Sequence, residues 1–288
     1  MPPTGIQVNR TASGVVLPPA VSNEIWQTVQ NSSVITQVSR RIPITGPGVT
    51  IPMITGDAVA DWVAETGEKP ISRPALSNKT VTPYKLALIV PFSDEFRRDL
   101  ATLYSALIAR LPNAIAKKFD QTVLGYSPSP GSGFDTLAGI TEIPFNGVAS
   151  VAAAAESVSL VEDAEISHTL SSTQMDFVLA EQLDSEGRPL FPSNDAIYNR
   201  FGGSVVRNKH IYDATAPTIG FVGDFSGNSV WGAVGGISVS MSDQATINDG
   251  GSPLNLWQRN MFAIRVEATM SFGLRDADAF VRYTGADS

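Results

Sequence analysis

The 288-residue chain contains no cysteine and only two histidines, His168 and His210. The absence of cysteine excludes disulfide bonds, thiolate metal sites and cysteine nucleophiles. The two histidines are far apart and form neither an H-x-x-H nor an H-E-x-x-H pair, so a zinc enzyme is disfavoured. We therefore expect neither a metal nor an organic cofactor.

Charge is also scarce, and its balance is acidic. Charged residues make up 17% of the chain, with 20 Lys and Arg against 28 Asp and Glu, which gives a net charge of −8. A negative surface repels phosphate, so general attraction to nucleic acid is disfavoured. No apolar run approaches the ~20 residues of a membrane helix. The first residues also lack the basic and apolar regions of a signal peptide, so we expect no membrane partner.

The N-terminal region predicts an arm followed by a short helix. Residues 1–21 are polar, contain several Pro and Gly, and have no periodicity, as in an extended arm. Ser22 or Asn23 is then placed to cap a helix. The apolar residues of that predicted helix are Ile25, Trp26, Val29 and Val34. Arg40 and Arg41 follow it.

Two extended runs predict a long β-hairpin. The first covers residues 49–63 and the second residues 79–92, and a charged turn region at 65–74 separates them. Such a hairpin is ~40 Å long at ~3.3 Å per residue. An isolated hairpin is only marginally stable in water, and Trp62 near the tip has little to bury against. We therefore predict that the hairpin lies on a neighbouring subunit.

A helical period follows, from Ser93 to Leu124, with an apolar residue at every third or fourth position. Pro112 removes a backbone hydrogen bond and clashes with the preceding turn, so the helix is predicted to kink or split there and to form a spine in two pieces. Residues 126–134 predict a linker and the best domain boundary. Short strands and helices then alternate, and residues 262–272 alternate apolar and other side chains without interruption, which is the strongest strand signal.

Motifs typical of catalysis are missing. The sequence has no glycine-rich phosphate loop and no G-x-S-x-G nucleophile motif. The carboxylate pairs Glu162-Asp163 and Asp276/Asp278 are typical of turns, and the four tryptophans are more typical of core or interface anchors than of a sugar-binding set. We expect no enzyme, although a β-rich hydrolase that uses two carboxylates stays an alternative.

A series of short motifs runs in a specific order from about residue 15 to Thr284. They are Leu17-Pro18-Pro19, Gly46-Pro47-Gly48, Trp62-Val63-Ala64-Glu65, Pro91-Phe92-Ser93, Gly223-Asp224-Phe225-Ser226, Trp257-Gln258-Arg259-Asn260-Met261 and Asp278-Ala279-Phe280. Each motif is weak alone, but in this order the chain resembles the major capsid proteins of tailed bacteriophages, which have the HK-97 fold.

The resemblance implies an α+β, HK-97-like fold. It implies an N-terminal arm and short helix at 1–44, an extended β-hairpin loop at 45–92, and an axial domain at 127–255. A peripheral domain at 93–126 and 256–288 would combine a long spine helix with the C-terminal strand. The matching region begins almost at Met1, so a separate scaffolding protein, or none, is expected.

The resemblance also implies a function. The chain is expected to assemble with itself into the hexamers and pentamers of an icosahedral virion capsid, and this capsid encloses double-stranded DNA. Assembly is expected to take place in the cytoplasm of the bacterial host. Portal and scaffolding or decoration proteins are the expected partners. An encapsulin-like bacterial compartment shell with a protein cargo is the alternative within the same fold.

Two sets of residues are predicted to act between subunits. The expected interface residues are Arg40, Arg41, Trp62, Glu65, Glu68, Lys69 and Arg73. Some members of the family link subunits covalently through a Lys, an Asn and an assisting Glu, and the resemblance places these roles on Lys69, Asn260 and Glu267. The alternative is that Asn260 ends a loop and Glu267 pairs with an arginine such as Arg265 or Arg73.

Overall fold

The computed structural model describes residues 15–16, 28–56, 60–63, 65, 68–69, 71–73, 75–95, 101–183, 186–188, 194–201, 203–213 and 217–285. The strands are β1 Val15–Val16, β2 Arg40–Arg41, β3 Val49–Gly56, β4 Ala75–Val81, β5 Tyr84–Ser93, β6 Thr141–Phe145, β7 His168–Ser171, β8 Ser204–Arg207, β9 Thr218–Gly223, β10 Ser229–Ser242, β11 Thr246–Asp249, β12 Ser252–Asn255, β13 Met261–Leu274 and β14 Phe280–Gly285. The α-helices are α1 Val34–Val38, α2 Ala101–Val123, α3 Val148–Ser159, α4 Thr173–Ala180, α5 Asn194–Tyr198 and α6 Phe225–Asn228.

The first large sheet is built around β13, the strand with the strongest sequence signal. Its order is β1-β10-β13-β5, and β2 pairs with β10. Val266 lies opposite Val239 on one side and Leu88 on the other, and all three contribute to the main core. The register between β10 and β13 shifts once, between Val234 and Ile237. The strand predicted for residues 262–272 is therefore confirmed, although Ala263 and Ser271 on its other face are buried as well.

The predicted spine helix is α2, and its apolar face packs into the main core through Leu111, Ile115 and Phe119. The helix continues through Pro112, so the prediction of two pieces is wrong. A proline removes a single backbone donor, and the turns on either side keep their own hydrogen bonds. Gly125 follows the helix with φ +87°, and a Cβ at this position would lie 2.6 Å from the Cα atom of Ala138.

The second large sheet has the order β6-β14-β9-β7-β8. Strands β6, β7, β8 and β14 run in one direction, and β9 runs in the other. Helices α3, α4 and α5 cover one face of this sheet around a second core that contains Phe145, Met175, Ile197 and Tyr283. The opposite face contributes Leu170 and Phe221 to the main core.

Strand pairing crosses the expected domain boundaries in two places. β10 falls within the expected axial range 127–255, but it pairs with β13 in the first sheet. β14 falls within the expected peripheral range 256–288, but it pairs with β6 and β9 in the second sheet. The two sheets therefore exchange strands late in the chain.

The run at 79–92, predicted as one strand, is two strands in different sheets. β4 ends at Val81 and pairs with β3, whereas β5 begins at Tyr84 and pairs with β13. Pro83 lies at the break, and a proline has no N–H to donate to a continuing ladder. The apolar face of β5 packs against the chain's own core. Only the β3–β4 hairpin is left as the predicted projecting loop.

At the N-terminal end, α1 begins after Ser33, whose side chain accepts a hydrogen bond from Thr36 N. The predicted caps Ser22 and Asn23 and most of the predicted arm lie outside the described residues. Residues 28–32 are helical, and Ser33 separates them from α1. Val29 and Val34 are buried in the main core as expected from the apolar pattern.

Candidate assembly surface

The β3–β4 hairpin is anchored at its root. The two strands pair from Val49 opposite Val81 outward to Gly56 opposite Ala75. Lys79 Nζ lies 2.6 Å from Asp135 Oδ2 on the body of the subunit. Val81 itself is fully buried, with 1% of its surface exposed. The hairpin therefore leaves the body from a fixed base.

Beyond that root, the hairpin carries large apolar side chains in full contact with solvent. Trp62 is 100% exposed, Ile71 85% and Leu76 73%. Single exposed apolar residues are common, but several close together in one projecting segment are typical of an interaction site. The prediction that Trp62 finds nothing to bury against in its own chain agrees with this geometry.

The charged residues of the predicted interface are also exposed. Glu65, Glu68, Lys69 and Arg73 lie in the segment beyond β3, and within the described part of the chain none of the four forms a salt bridge. Their charges are therefore available to groups outside the subunit. Whether they contact a neighbour stays a prediction.

Arg40 and Arg41 lie apart from the hairpin tip, and their side chains have different surroundings. Both belong to β2, which pairs in parallel with β10. The Arg41 guanidinium lies 5.5 Å from the centroid of the buried Trp231 ring, within the range of a cation–π contact. Arg40 instead lines a cleft of about 300 Å³ between the hairpin root and the body, with Met53 and Arg275 among its other walls.

The candidate linking residues Asn260 and Glu267 occupy different environments. Asn260 follows a short 3-10 helix, Trp257–Arg259, with φ 51° and ψ 50°, and its carbonyl accepts a hydrogen bond from Asp94 N. Glu267 lies within β13, with its carboxylate 3.7 Å from Arg265 Nε and 3.8 Å from Lys85 Nζ. The register of β13 against β5 runs from Met261 to Met270 without a shift. Glu267 thus has the arginine contact that the structural alternative expected.

A buried polar cluster was missed at the sequence level. Asp120 is fully buried and accepts hydrogen bonds from Ser33 Oγ (2.6 Å), Val34 N (3.1 Å) and Ile35 N (3.4 Å). The first and third of these bonds end on Oδ1 and the second on Oδ2. His210 Nδ1 lies 2.8 Å from Oδ2 as well. The cluster joins α2, the start of α1 and the loop after β8. Its members are widely separated in the sequence, so no local motif reveals it.

The groups with shifted pKa values belong to packed regions. Burial raises the pKa of Tyr126, Tyr198 and Tyr283 above the usual range of a phenol. Burial lowers the pKa of His168, and the carboxylate of Asp224 opposes that shift. These shifts follow from packing, since desolvation is the largest cause of each.

The described residues also bear on the expectations for metal sites, membrane helices and turn carboxylates. No group of three or more Asp, Glu or His side chains in them is arranged to hold a metal ion. None of the helices in the described ranges has both the length and the hydrophobicity to cross a membrane. The Asp276/Asp278 pair is a turn as predicted, because Asp278 N donates to Asp276 Oδ1 at 2.9 Å.

The chain matches a known family along nearly its whole length. The model of the phage capsid family matches residues 13–285. The probable major capsid proteins gp17 of Mycobacterium phages L5 and D29 are each 31% identical to the chain, over 94% of it and over 90% and 91% of their own lengths. A solved structure from Gordonia phage Cozz, 19% identical, superimposes over 99% of this chain and 92% of its own with a TM-score of 0.75, which supports the fold. The expected HK-97-like α+β fold and major capsid protein function are thereby confirmed, and the chain belongs to the phage capsid family.

Proposed function

We propose that the chain is the repeating subunit of hexamers and pentamers in a phage head that encloses double-stranded DNA. The observation that carries this proposal is the hairpin, which is fixed at its root by Lys79 and Asp135 and bare beyond it at Trp62, Ile71 and Leu76. A neighbouring copy can cover this surface, because every subunit in a closed homo-oligomeric shell is surrounded by copies of the same chain. The host cytoplasm is the proposed place of assembly.

The proposed role is structural and not catalytic, and the predicted interface residues take part as a set. The exposed charges of Glu65, Glu68, Lys69 and Arg73 would pair across subunits. A surface ion pair contributes only ~0–1 kcal/mol, so shell stability must come from many copies and from apolar contacts at Trp62 and its neighbours. Arg40 would contribute from the cleft at the hairpin root, whereas Arg41 already contacts Trp231.

The proposed cargo and partners fit the charge of the subunit. A net charge of −8 disfavours tight binding of the wall to DNA, and this leaves the genome free to enter and leave. Portal, scaffolding and decoration proteins are proposed partners on the strength of the family resemblance. No sequence-specific DNA contact is proposed.

We assign the strands to the proposed domains by the sheet in which each strand pairs. The peripheral domain would hold α2 and the first sheet, including β10. The axial domain would hold the second sheet with α3, α4 and α5, and it would include β14 although that strand lies close to the end of the described chain. In this arrangement the hairpin projects from the peripheral domain.

Covalent linkage between Lys69 and Asn260, with help from Glu267, stays a prediction from the resemblance. The Lys69 amine must lose a proton to a base before it attacks the side-chain carbonyl carbon of Asn260. The new amide bond then forms as the C–N bond of the Asn260 carboxamide breaks and ammonia leaves. Glu267 is a carboxylate held near Arg265 and Lys85 in its own chain. Positions 260 and 267 differ by an odd number, so on a regular strand their side chains face opposite ways, and a complete site requires contributions from different subunits or a bulge.

Deletion of residues 60–75 tests the proposal. The deletion removes Trp62 and Ile71 but spares the root contact of Lys79 with Asp135. We expect a soluble, folded subunit that no longer forms shells in negative-stain images. Normal particles from the deleted protein would refute the proposed role of the hairpin.

A point variant separates a contact effect from a loop-length effect. Trp62→Ala should lower the yield of particles while leaving urea unfolding of the unassembled subunit within about 0.5 kcal/mol of the parent, because the side chain is 100% exposed. Ser77→Ala is the matched control, since Ser77 is exposed on the same hairpin and its change removes only a hydroxyl group. We expect normal particles from this control.

A further inference from the structure

The two ends of the second sheet present different surfaces. Strands β6, β7, β8 and β14 all point toward one end, here called the carboxyl end. Helix α4 lies across that end, because Ser172 before it donates to Ile219 O and Gln182 after it donates to Asn146 O at 2.9 Å. Helix α3 starts at the same end, after β6, and runs back to the opposite end, here called the amino end.

An open groove of about 550 Å³ lies at the amino end. The second half of α3, the segment before β7 and Phe201, which lies shortly before β8, form its walls. Its apolar lining residues are Ala152, Ala155, Val158, Ala164, Ile166 and Phe201. Glu156 and Glu165 also line it, and neither has a counter-ion within the described ranges. The groove therefore fits an apolar side chain that has a positive charge beside it.

The carboxyl end offers such a combination. On α4, Met175 and Leu179 are buried, and Phe177 between them points outward with 58% of its surface exposed. Lys209 follows β8 at this end and is exposed, and no ion pair of its side chain is found in the described part of the chain. Its backbone neighbour Asn208 donates to Ser171 O at the end of β7.

One subunit cannot bring its own two surfaces together. β9 has six residues, so the ends of the sheet lie about 20 Å apart at ~3.3 Å per residue. Contact between one surface and its complement on another copy is head-to-tail, and such a contact forms a ring when the rotation closes. We propose that Phe177 and Lys209 of one subunit dock into the Ala155–Glu165 groove of the next subunit around the axis of each hexamer and pentamer.

This inference rests on the proposed function, and the absence of cysteine allows a direct test. The double variant Phe177→Cys with Ala155→Cys is assembled and treated with a short thiol-specific bismaleimide. On a denaturing gel we expect a series of linked subunits that ends at five and six. The single variants should stay monomeric, as should a mismatched pair of Phe177→Cys with Ala87→Cys, which lies on the exposed face of β5 in the other sheet.

Electron microscopy of the same samples shows whether particles have formed, so the test of the docking contact is kept separate from the test of shell assembly. Particles from the double variant that give only monomers after treatment would overturn the docking proposal and leave the shell intact. A parent protein that forms no particles would instead count against the proposed function.

A second experiment exchanges the charges of the proposed ion pair. Lys209→Glu should reduce the particle yield about tenfold or more, and Lys209→Glu combined with Glu165→Lys should restore most of that yield. Equal yields from parent and Lys209→Glu would also contradict the proposal.

Discussion

The buried carboxylate of Asp120 accepts four hydrogen bonds, and its replacement by asparagine offers a quantitative test of the fold. Oδ1 accepts from Ser33 Oγ and Ile35 N, and Oδ2 faces Val34 N and His210 Nδ1. In asparagine one of these oxygens becomes an NH₂ group, so one backbone N–H of α1 loses its acceptor in either orientation of the amide. The second partner on that side must also reorient.

The expected loss follows from these contacts. A buried donor without a partner costs ~1–3 kcal/mol, and hydrogen bonds to a charged group are stronger than neutral ones. We therefore expect Asp120→Asn to lower the free energy of unfolding by about 2–4 kcal/mol. A typical domain is stable by only ~5–15 kcal/mol, so the change is large. Asp163→Asn is the matched control because the Asp163 carboxylate is 57% exposed and lies 3.8 Å from Arg275.

The control should cost no more than ~1 kcal/mol, as for other surface ion pairs. Asparagine also tolerates the φ of 59° at position 163. Urea unfolding of the unassembled subunit, followed by the fluorescence of the buried Trp231, measures both variants. The measurement is repeated at several protein concentrations, because association stabilises the folded state. A loss for Asp120→Asn no larger than that for Asp163→Asn would refute the reasoning.

Two further outcomes are expected. Because burial lowers the pKa of His168 below that of the unfolded chain, its contribution to stability is complete above the unfolded value of ~6.5 and declines as the pH falls below it. Unfolding curves at pH 7.5 and 5.0 should therefore show a smaller acid-induced loss for His168→Gln than for the parent, and an equal loss would contradict this. If Lys69 and Asn260 are linked, boiled virions give a ladder of bands that Asn260→Asp abolishes, whereas a single monomer-sized band from the parent rules the link out.

The strands and helices with strong periodicity could be predicted from the sequence. β13 and the helical run in α2 follow local patterns that pack an apolar face into the main core. These patterns can be recognised from residues that are close together in the sequence, and so can the exposed tip of the hairpin. The order of family motifs then supplied the arrangement that periodicity could not.

The break between β4 and β5 has one local signal in the sequence, Pro83, and the structure adds a change of parity. In β4 the buried and half-buried positions Lys79 and Val81 are odd-numbered, whereas in β5 the half-buried positions such as Tyr84 and Leu86 are even-numbered. A strand keeps its faces at a period of two, so a change of parity marks a break or a bulge. Together with Pro83, it indicates two strands.

Other features depend on partners far away in the sequence. β14 joins β6 across a large part of the chain, and its composition does not reveal that pairing. Asp120 and His210 meet in the same way, each as an isolated polar residue in its own segment. Phe177 could have been noticed, because it stands two positions from both Met175 and Leu179 and therefore lies on the other side of α4.

The distribution of polar and apolar groups separates the interior of the subunit from its assembly surfaces. Inside, Asp120 is fully satisfied and fixes α1 against α2. Outside, Trp62 is exposed in the hairpin and Phe177 on α4. Exposed apolar groups favour random association, whereas a net charge of −8 opposes it through repulsion between copies. Productive assembly therefore requires contacts that bury several such groups at once, and only a repeated, closed arrangement of subunits satisfies that condition for every copy.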